Sequence, residues 1–389
     1  MTHQREIKSV IEFVDDLIRQ AIFCRASDIH LEPLERGLRI RFRIDGVLHE
    51  REWVSPDSML QVISRIKVLA NIDIAERRIP QDGSFSRTIE RRMIDFRVST
   101  FPTLLGEKLV IRILDRTCTA IALDALGLGT HLRVSLLDVL ERKNGLFLVT
   151  GPTGSGKTTT LYAALSHLNN TERHIITLED PVEYHLSGIT QGHIHPGAGF
   201  SFAKGMRALL RQDPDILMVG EIRDRETANI ALEAALTGHL VLSTVHTADA
   251  PRVIMRLMDM QIEPFKISAA LVGILAQRLV RALCSSCKVK RHPTSAEQAF
   301  LISQGKDLAH VYDAHGCDAC QQIGYVGRVG IFQLLTMTEN ICSLLGNKPT
   351  LDALQYHAHE DGMQTLYQDG LEKVAEGVTS ISELIKAAA

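Results

Sequence analysis

The residues best suited to chemistry form a glycine-rich stretch near the middle of the chain, from Gly151 to Thr158. A Gly, four free positions and then Gly-Lys-Thr is the spacing of a phosphate-binding loop. A short apolar run, 146–150, precedes the stretch and a predicted helix, 159–168, follows it. In this context backbone N–H groups close around phosphate oxygens at the positive end of a helix. We therefore predict a nucleoside triphosphate site; a glycine-rich turn that matches by chance is the alternative.

The loop predicts individual roles as well as a site. Lys157 is expected to reach the β- and γ-phosphates, and the Thr158 hydroxyl is expected to bind Mg²⁺. The predicted nucleotide-binding residues are Gly151, Pro152, Thr153, Gly154, Ser155, Gly156, Lys157, Thr158 and Thr159.

Two further predicted strands end in carboxylates. One is the apolar run 216–220, which Glu221 follows; the other ends at Leu178 and is followed by Glu179, Asp180 and Glu183. Hydrolysis needs one carboxylate to orient water and another group to hold the metal. A single acidic cluster usually caps a strand or is solvated, but two clusters beside one phosphate loop favour catalysis.

Composition excludes several classes of protein. The 389 residues predict two or three domains, and 45% hydrophobic with 23% charged residues is typical of an ordinary soluble protein. A net charge of −3 gives no reason to expect nucleic-acid binding. The chain shows neither an apolar stretch of membrane-spanning length nor a signal-peptide core. We therefore expect a cytoplasmic protein.

The pattern along the chain predicts an α/β fold in two domains. Residues 1–120 are expected to form a small α/β domain with an antiparallel sheet, in which Arg39 and Arg41 lie on a solvated face. Residues 121–135 are predicted to be a linker. In residues 136–389 strands and helices alternate, which indicates a parallel sheet covered on both faces. Residues 284–330 interrupt this alternation, and the chain is predicted to be helical from Thr350 onward.

Four of the seven cysteines fall in two Cys-x-x-Cys pairs, Cys284 with Cys287 and Cys317 with Cys320. Two such pairs suit a closed, tetrahedral Zn²⁺ site of structural type. However, the 29 residues from 288 to 316 exceed the usual spacing between the pairs of a zinc ribbon. Redox-active pairs are the alternative, although neither pair begins a helix of a thioredoxin-like unit.

Together these features resemble the secretion traffic ATPases of type II secretion and type IV pilus assembly. The resemblance runs almost from end to end and is carried by residues 26–33 and 43–46 of the first domain, 177–183 as an Asp box, 211–224 as an atypical Walker B sequence, 237–247 as a His box, and the cysteine pairs with their flanks 276–281 and 324–328. It implies a sensor-like (PAS-like) first domain and a RecA-like ATPase domain with an inserted zinc module.

The resemblance also implies roles for residues by position. Glu221 would hold the metal and Glu183 would be the catalytic carboxylate, and an exchange of these two roles stays open. His246 would sense the γ-phosphate. Arg97 and Arg112 match positions where the first domain lends arginines to the nucleotide; pairing with local acids is the alternative. Arg256 and Arg328 match further basic positions of the family.

The function implied is a homo-hexameric motor that hydrolyses ATP to power pilin or pseudopilin assembly. Its partners would be an inner-membrane platform protein and associated assembly proteins, so that it is bound to the cytoplasmic face of the inner membrane indirectly. The four-cysteine module favours pilus extension over retraction. Larger members carry a further N-terminal domain that docks on a membrane partner, so this is either a short member or a shortened chain.

Two other classes of function stay open at the level of sequence. A RecA-type nucleic-acid-dependent ATPase would share the core fold, but the chain lacks an obvious basic-aromatic groove. A silent scaffold would bind nucleotide without turnover, and the presence of Lys157, Glu183, Glu221 and His246 argues against it. The sequence does not distinguish a pilus, a secretion pseudopilus or a competence system as the client.

Overall fold

The structure is a computed structural model, and it describes residues 4–5, 7, 9–115 and 121–388. The chain divides into two compact units, Met1–Thr119 and Ala120–Ala389.

Within its described residues, the first unit holds a seven-stranded sheet and two helices. The elements are β1 (Gln4–Arg5), α1 (Val10–Phe23), β2 (Ala26–Leu34), β3 (Gly37–Ile44), β4 (Val47–Val54), α2 (Pro56–Leu69), β5 (Gln81–Ile89), β6 (Arg92–Thr103) and β7 (Gly106–Asp115). The strand order is β1-β4-β3-β2-β7-β6-β5, and the pairs are antiparallel apart from β1 with β4. The antiparallel sheet predicted from alternation is thus present, while a PAS-like identity for this unit stays a prediction.

Alternation along β3 explains which face of this sheet is buried. Leu38, Ile40 and Phe42 are buried and the two helices contact the sheet, whereas the intervening arginines lie on the other face. The sequence predicted a solvated face, but the structure shows these arginines in ion pairs. Arg39 and Arg41 both donate to the carboxylate of Glu32 on β2, at 2.9 Å and 2.7 Å.

Glu32 is itself almost inaccessible to solvent. Burial acts to raise its pKa, but hydrogen bonds from Arg41 and Arg39 outweigh burial and lower the pKa of Glu32 to about 2. The sequence pattern missed this pairing because β2 is buried on both faces for most of its length and does not alternate.

The second unit is built on another seven-stranded sheet among the described residues. Its elements up to the middle of the unit are α3 (Thr130–Leu140), β8 (Gly145–Thr150), α4 (Lys157–Leu168), β9 (Ile175–Glu179), β10 (Thr190–His193), α5 (Phe202–Leu209), β11 (Ile216–Val219), α6 (Arg225–Leu236), β12 (Leu240–Val245), α7 (Ala250–Asp259) and α8 (Pro264–Ala270). The remaining elements are β13 (Leu271–Leu283), β14 (Val289–Arg291), α9 (Ser295–Ser303), β15 (Val311–Asp313), β16 (Tyr325–Thr336), α10 (Glu339–Leu345), α11 (Leu351–Glu360), α12 (Leu366–Ala375) and α13 (Ile381–Ala388).

The strand order of this sheet is β10-β9-β11-β12-β8-β13-β16. Neighbours are parallel except for β13 and β16, which form an antiparallel pair at one edge. Leu146 and Leu148 of β8 pack into one buried cluster, and Phe147 and Val149 pack into a second. The sheet is therefore covered by apolar side chains on both faces, as the alternation of strands and helices predicted.

Segment 121–135, which was predicted to be a linker, contains a short 3-10 helix, Leu123–Leu126, and the start of α3. Leu123, Leu126 and Leu132 are buried in one core cluster of the second unit. The long β13–β16 pair escaped prediction, because β13 is a nearly continuous apolar run that periodicity does not separate from a helix. Among the described residues, every helix is too short or too polar to cross a lipid bilayer.

Candidate active site

The phosphate loop lies between the carboxyl end of β8 and the start of α4. Gly151, Gly154 and Gly156 have φ angles of 150°, 78° and 87°, which only glycine adopts readily. At Gly151 a Cβ atom would also lie 2.5 Å from the carbonyl oxygen of Gln277. The backbone can therefore curl tightly, and it leads directly into Lys157, the first residue of α4.

The Lys157 side chain is folded back onto its own loop. Its Nζ donates to the carbonyl oxygens of Gly151 at 2.8 Å and Pro152 at 3.1 Å. Burial, together with the charge of Arg278, lowers the pKa of Lys157, and the charge of Glu221 opposes this shift. An ammonium that donates its shortest hydrogen bonds to loop carbonyls can exchange them for phosphate oxygens at little cost.

The catalytic candidates meet at one edge of the sheet because their strands are parallel. Glu221 follows β11, and His246 follows β12, the strand between β11 and β8. Thr244 Oγ1 donates to the Gly220 carbonyl at 2.8 Å, and the Thr247 N–H donates to Thr150 Oγ1 at 2.9 Å. These bonds hold the ends of the three strands together.

A short chain of polar groups connects the lysine to the acid. His246 Nδ1 lies 3.5 Å from Lys157 Nζ, and His246 Nε2 lies 3.6 Å from Glu221 Oε2. Glu221 also forms an ion pair with Arg223. Burial and the charge of Lys157 lower the pKa of His246, while Glu221 opposes this shift; the lower pKa favours the neutral imidazole, which can both accept and donate a hydrogen bond.

These groups line a cavity of about 640 Å³. Of the predicted site residues it brings together Thr153, Gly154, Ser155, Gly156, Lys157, Thr158, Thr159, Glu183, Glu221, His246 and Arg328. Gly151 and Pro152 complete the same loop. The cavity thus has the phosphate loop as its floor and the carboxylates of Glu183 and Glu221 among the acids on its wall, the arrangement that metal-assisted hydrolysis of a phosphoanhydride requires.

Other residues of the predicted set lie elsewhere. His239, which belongs to the His box 237–247, lies just beyond α6, where its Nδ1–H donates to the Ala234 carbonyl oxygen at 3.0 Å, and Arg256 is exposed on α7. Arg97 and Arg112 belong to the first unit, where they face each other across β6 and β7. Arg112 Nε donates to Asp28 at 3.2 Å, which is the local pairing left open as an alternative.

Three residues of the site were missed by the sequence argument. Arg223 pairs with Glu221, Gln277 donates to the Ser155 carbonyl oxygen at 2.6 Å, and Tyr162 lies behind the Glu183 loop. Arg223 lies within the Walker B-like segment 211–224, four positions after the end of β11, and could have been suspected. Gln277 lies 122 positions from its partner, and no local pattern connects the two.

The four predicted metal ligands form a single cluster. Their sulfur atoms all lie within 4.8 Å of one another, with Cys284–Cys317 at 3.9 Å and Cys287–Cys320 at 3.8 Å. Tetrahedral zinc with bonds of about 2.3 Å places thiolates about 3.8 Å apart, so the geometry fits. The segment between the two pairs, 288–316, is longer than the usual zinc-ribbon spacing. It contains β14, α9 and β15, and these elements bring the chain back to the second cysteine pair.

Backbone N–H groups also point at two of these sulfurs. Gly316 N lies 3.3 Å from Cys287 Sγ, and Gly324 N lies 3.1 Å from Cys320 Sγ. Such donors stabilise thiolates, the form that binds metal. Sulfur separations near 3.8 Å are far from the bond length of about 2.05 Å in a disulfide, so the cluster favours metal binding over redox pairing.

Fold and site together define a P-loop nucleoside triphosphatase. The phosphate loop at the end of β8 and the carboxylate at the end of β11, with β12 between them, are the parts of this class.

Comparisons with known proteins narrow the class to a family. The family model described as type II/IV secretion system protein matches residues 3–386, and the chain belongs to this family. It is 47% identical over 388 residues to type II secretion system protein E of Pseudomonas aeruginosa, covering 99% of this chain and 77% of that one. It is 44% identical over 379 residues to the type IV pilus assembly ATPase TfpB of Acinetobacter baylyi, covering 97% of this chain and 65% of that one.

A solved structure is similar over the same length. The pilus retraction motor PilT with bound ADP superimposes with a TM-score of 0.63 at 28% identity, covering 99% of this chain and 97% of that one. The resemblance to secretion and pilus ATPases is therefore confirmed, and the chain is an ATP-hydrolysing enzyme of this family.

Proposed function

We propose that the chain is a hexameric ATPase motor that powers assembly of pilin or pseudopilin subunits from the cytoplasmic face of the inner membrane. The observation that carries the proposal is the cavity in which the phosphate loop, Glu183, Glu221 and His246 meet. An inner-membrane platform protein is the partner that receives the work. The names of the relatives, from type II secretion and from pilus assembly, support a client of this class.

In the proposed mechanism Lys157 leaves the carbonyls of its own loop and binds the β- and γ-phosphates. The Thr158 hydroxyl and Glu221 would hold Mg²⁺, which would supply positive charge against the charge that develops on the phosphates. Glu183 orients the attacking water and accepts its proton. His246, between Lys157 and Glu221, contacts the γ-phosphate and changes partners when that phosphate is lost.

Arg97 and Arg112 supply further positive charge to the phosphates during turnover. Their adjacent positions on β6 and β7 support a joint role, because both guanidinium groups belong to one patch of the sheet. Arg112 would have to leave Asp28 to act in this way.

The four-cysteine cluster binds Zn²⁺ and has a structural role in this proposal. Its four sulfurs supply a full tetrahedral set, which leaves no open position for a substrate. The module favours extension of a filament over retraction, on the resemblance to assembly ATPases.

The assignment of the site is tested by three single substitutions. We expect Lys157→Ala to abolish phosphate release and to weaken binding of a fluorescent ATP analogue, because the loop loses its only charged donor to phosphate. Glu183→Gln and Glu221→Gln should each lower kcat by about 10²–10⁴-fold, and only Glu221→Gln should raise the Mg²⁺ concentration needed for half-maximal turnover. Glu233→Gln, an exposed carboxylate on α6, is the control.

Wild-type turnover by Lys157→Ala would overturn the site assignment. A higher Mg²⁺ requirement in Glu183→Gln than in Glu221→Gln would show that the two acids have exchanged roles. In cells whose secretion or piliation depends on this chain, Lys157→Ala should also abolish delivery of the client to the surface; normal delivery would contradict the motor function.

A further inference from the structure

Tyr162 lies where the phosphate-binding helix meets the loop that carries Glu183. It is the sixth residue of α4, and the helix begins at Lys157. Its side chain is fully buried, and its ring packs edge-on against Tyr184 with centroids 4.7 Å apart. Lys157 and Tyr162 belong to the same helix. A hydrogen bond from the tyrosine to the Glu183 loop therefore links the phosphate loop to the loop that carries the Glu183 carboxylate.

The Tyr162 hydroxyl makes such a bond. It donates to the buried carboxylate of Glu179, and its oxygen accepts from the backbone N–H of Glu183 at 3.4 Å. A phenol can do both at once, because it has one proton and two lone pairs. Burial and the adjacent carboxylate raise the pKa of Tyr162, so the hydroxyl keeps its proton.

Glu179 can orient the Tyr162 hydroxyl because the Glu179 carboxylate is itself held in place. It is the last residue of β9, it is only 3% exposed, and Thr177 Oγ1 donates to its other oxygen at 2.6 Å. Gln191 of β10 donates to that same oxygen at 3.2 Å. Because the Glu179 carboxylate is fixed, the Tyr162 hydroxyl proton points toward it. The lone pairs of the hydroxyl oxygen then face the loop that carries Glu183.

Gln191 holds the same loop at two more points. Its Nε2 donates to the Tyr184 carbonyl oxygen at 3.1 Å, and its Oε1 accepts from the Leu186 N–H at 2.7 Å. The Glu183 side chain itself is exposed. Its carboxylate is therefore placed by the backbone of the loop, which Tyr162 and Gln191 hold.

We propose that Tyr162 is a positioning residue for hydrolysis: its hydroxyl sets the distance between the phosphate loop and the Glu183 carboxylate, and Gln191 assists it. The inference rests on the proposed role of Glu183 in orienting water. A purely apolar filler at position 162 would pack as well without burying a hydroxyl and a carboxylate, which are costly to bury unless they serve a geometry.

The test is Tyr162→Phe in the full-length chain, with Mg²⁺-ATP as substrate. The ring and its contact with Tyr184 stay, while the hydroxyl is lost, and Glu179 keeps its bonds from Thr177 and Gln191. We expect kcat to fall about 10–100-fold, with KM and the Kd of a fluorescent ATP analogue within about threefold of the parent. Tyr325→Phe is the matched control, because it removes another buried hydroxyl, bonded to Ser380 at 2.9 Å.

A double-mutant cycle separates positioning from a general structural role. If Tyr162 acts through Glu183, adding Tyr162→Phe to Glu183→Gln should change the residual kcat by less than about twofold. An equal loss in both backgrounds, or a loss of ATP binding and of Tm together with kcat, would overturn the proposal. Gln191→Met gives a second route, and it should reproduce the loss of kcat at unchanged KM.

The outcomes also distinguish this proposal from the function on which it rests. Parental turnover by Glu183→Gln would remove the role of Glu183, whatever Tyr162→Phe does. A slow Glu183→Gln variant with a Tyr162→Phe variant at the parental kcat would overturn the positioning role alone.

Discussion

Gln277 shows how a single buried amide can control a phosphate loop. It lies in the middle of β13 and is 2% exposed. Its Nε2 donates to the Ser155 carbonyl oxygen at 2.6 Å, and its Oε1 accepts from Thr160 Oγ1 at 2.8 Å. One side chain therefore holds both the loop and the first turns of α4, and this orients the N–H groups that phosphate would meet.

Replacing Gln277 with Met keeps the approximate volume and removes both bonds. Because a buried polar group without its partner costs about 1–3 kcal/mol, we expect the Kd of a fluorescent ATP analogue to rise about 5–150-fold. The matched control is Gln333→Met on β16, whose Oε1 accepts from the Ala250 N–H at 3.1 Å, outside the phosphate loop. Equal affinities in the two variants would show that the loop does not depend on Gln277.

At the scale of elements, the four-cysteine cluster closes a module that has little core of its own. The module inserts β14, α9 and β15 between the paired strands β13 and β16. Arg291 of β14 donates to both Glu297 of α9 and Asp313 of β15, so polar contacts hold the insert together. Since few apolar side chains are buried in such an insert, a bound metal should contribute much of its folding free energy.

Cys287→Ser tests that contribution. We expect about one mole of zinc per mole of chain in the parent and almost none in the variant, with Tm lower by roughly 5–15 °C. Cys342→Ser, which changes a half-buried cysteine outside the cluster, should retain both the zinc and the Tm. Elemental analysis and calorimetry measure the two quantities. Unchanged Tm in a zinc-free Cys287→Ser variant would contradict a structural role for the metal.

At the scale of the whole molecule, cooperation between the two units is the central question for a motor. The phosphate loop belongs to Ala120–Ala389, whereas Arg97 and Arg112 belong to Met1–Thr119. An effect of these arginines on turnover would therefore require that the first unit take part in hydrolysis.

We expect Arg97→Gln to lower kcat by about 10³-fold or more, as loss of an arginine at the γ-phosphate does in other NTPases. Arg112→Gln should have a smaller effect, because its guanidinium already neutralises Asp28. Phosphate release at saturating ATP is the measurement. The control is Arg91→Gln, an exposed arginine in the turn between β5 and β6. Turnover within about twofold of the parent in an Arg97→Gln/Arg112→Gln double variant would exclude a catalytic part for the first unit.

The local parts of this protein could be predicted from sequence. The phosphate loop needs glycine at three positive φ angles and a lysine at the start of a helix, and these requirements act on neighbouring residues. Glu221 and His246 follow apolar runs, so a parallel sheet was enough to place them at one edge. Clustering of the cysteine pairs was expected from their residue types and from the family resemblance.

Only the tertiary structure decided which distant groups support those parts. Gln277 meets Ser155 across 122 positions, and Tyr162 meets Glu183 across 21, through hydrogen bonds that leave no periodic trace in the sequence. The pairing of Arg39 and Arg41 with Glu32 likewise depends on the register of β2 against β3. Local conformation follows from short-range sterics and from the spacing of apolar residues. A buried polar contact between distant residues depends instead on how the elements pack, because only one of several possible strand registers brings the two partners together.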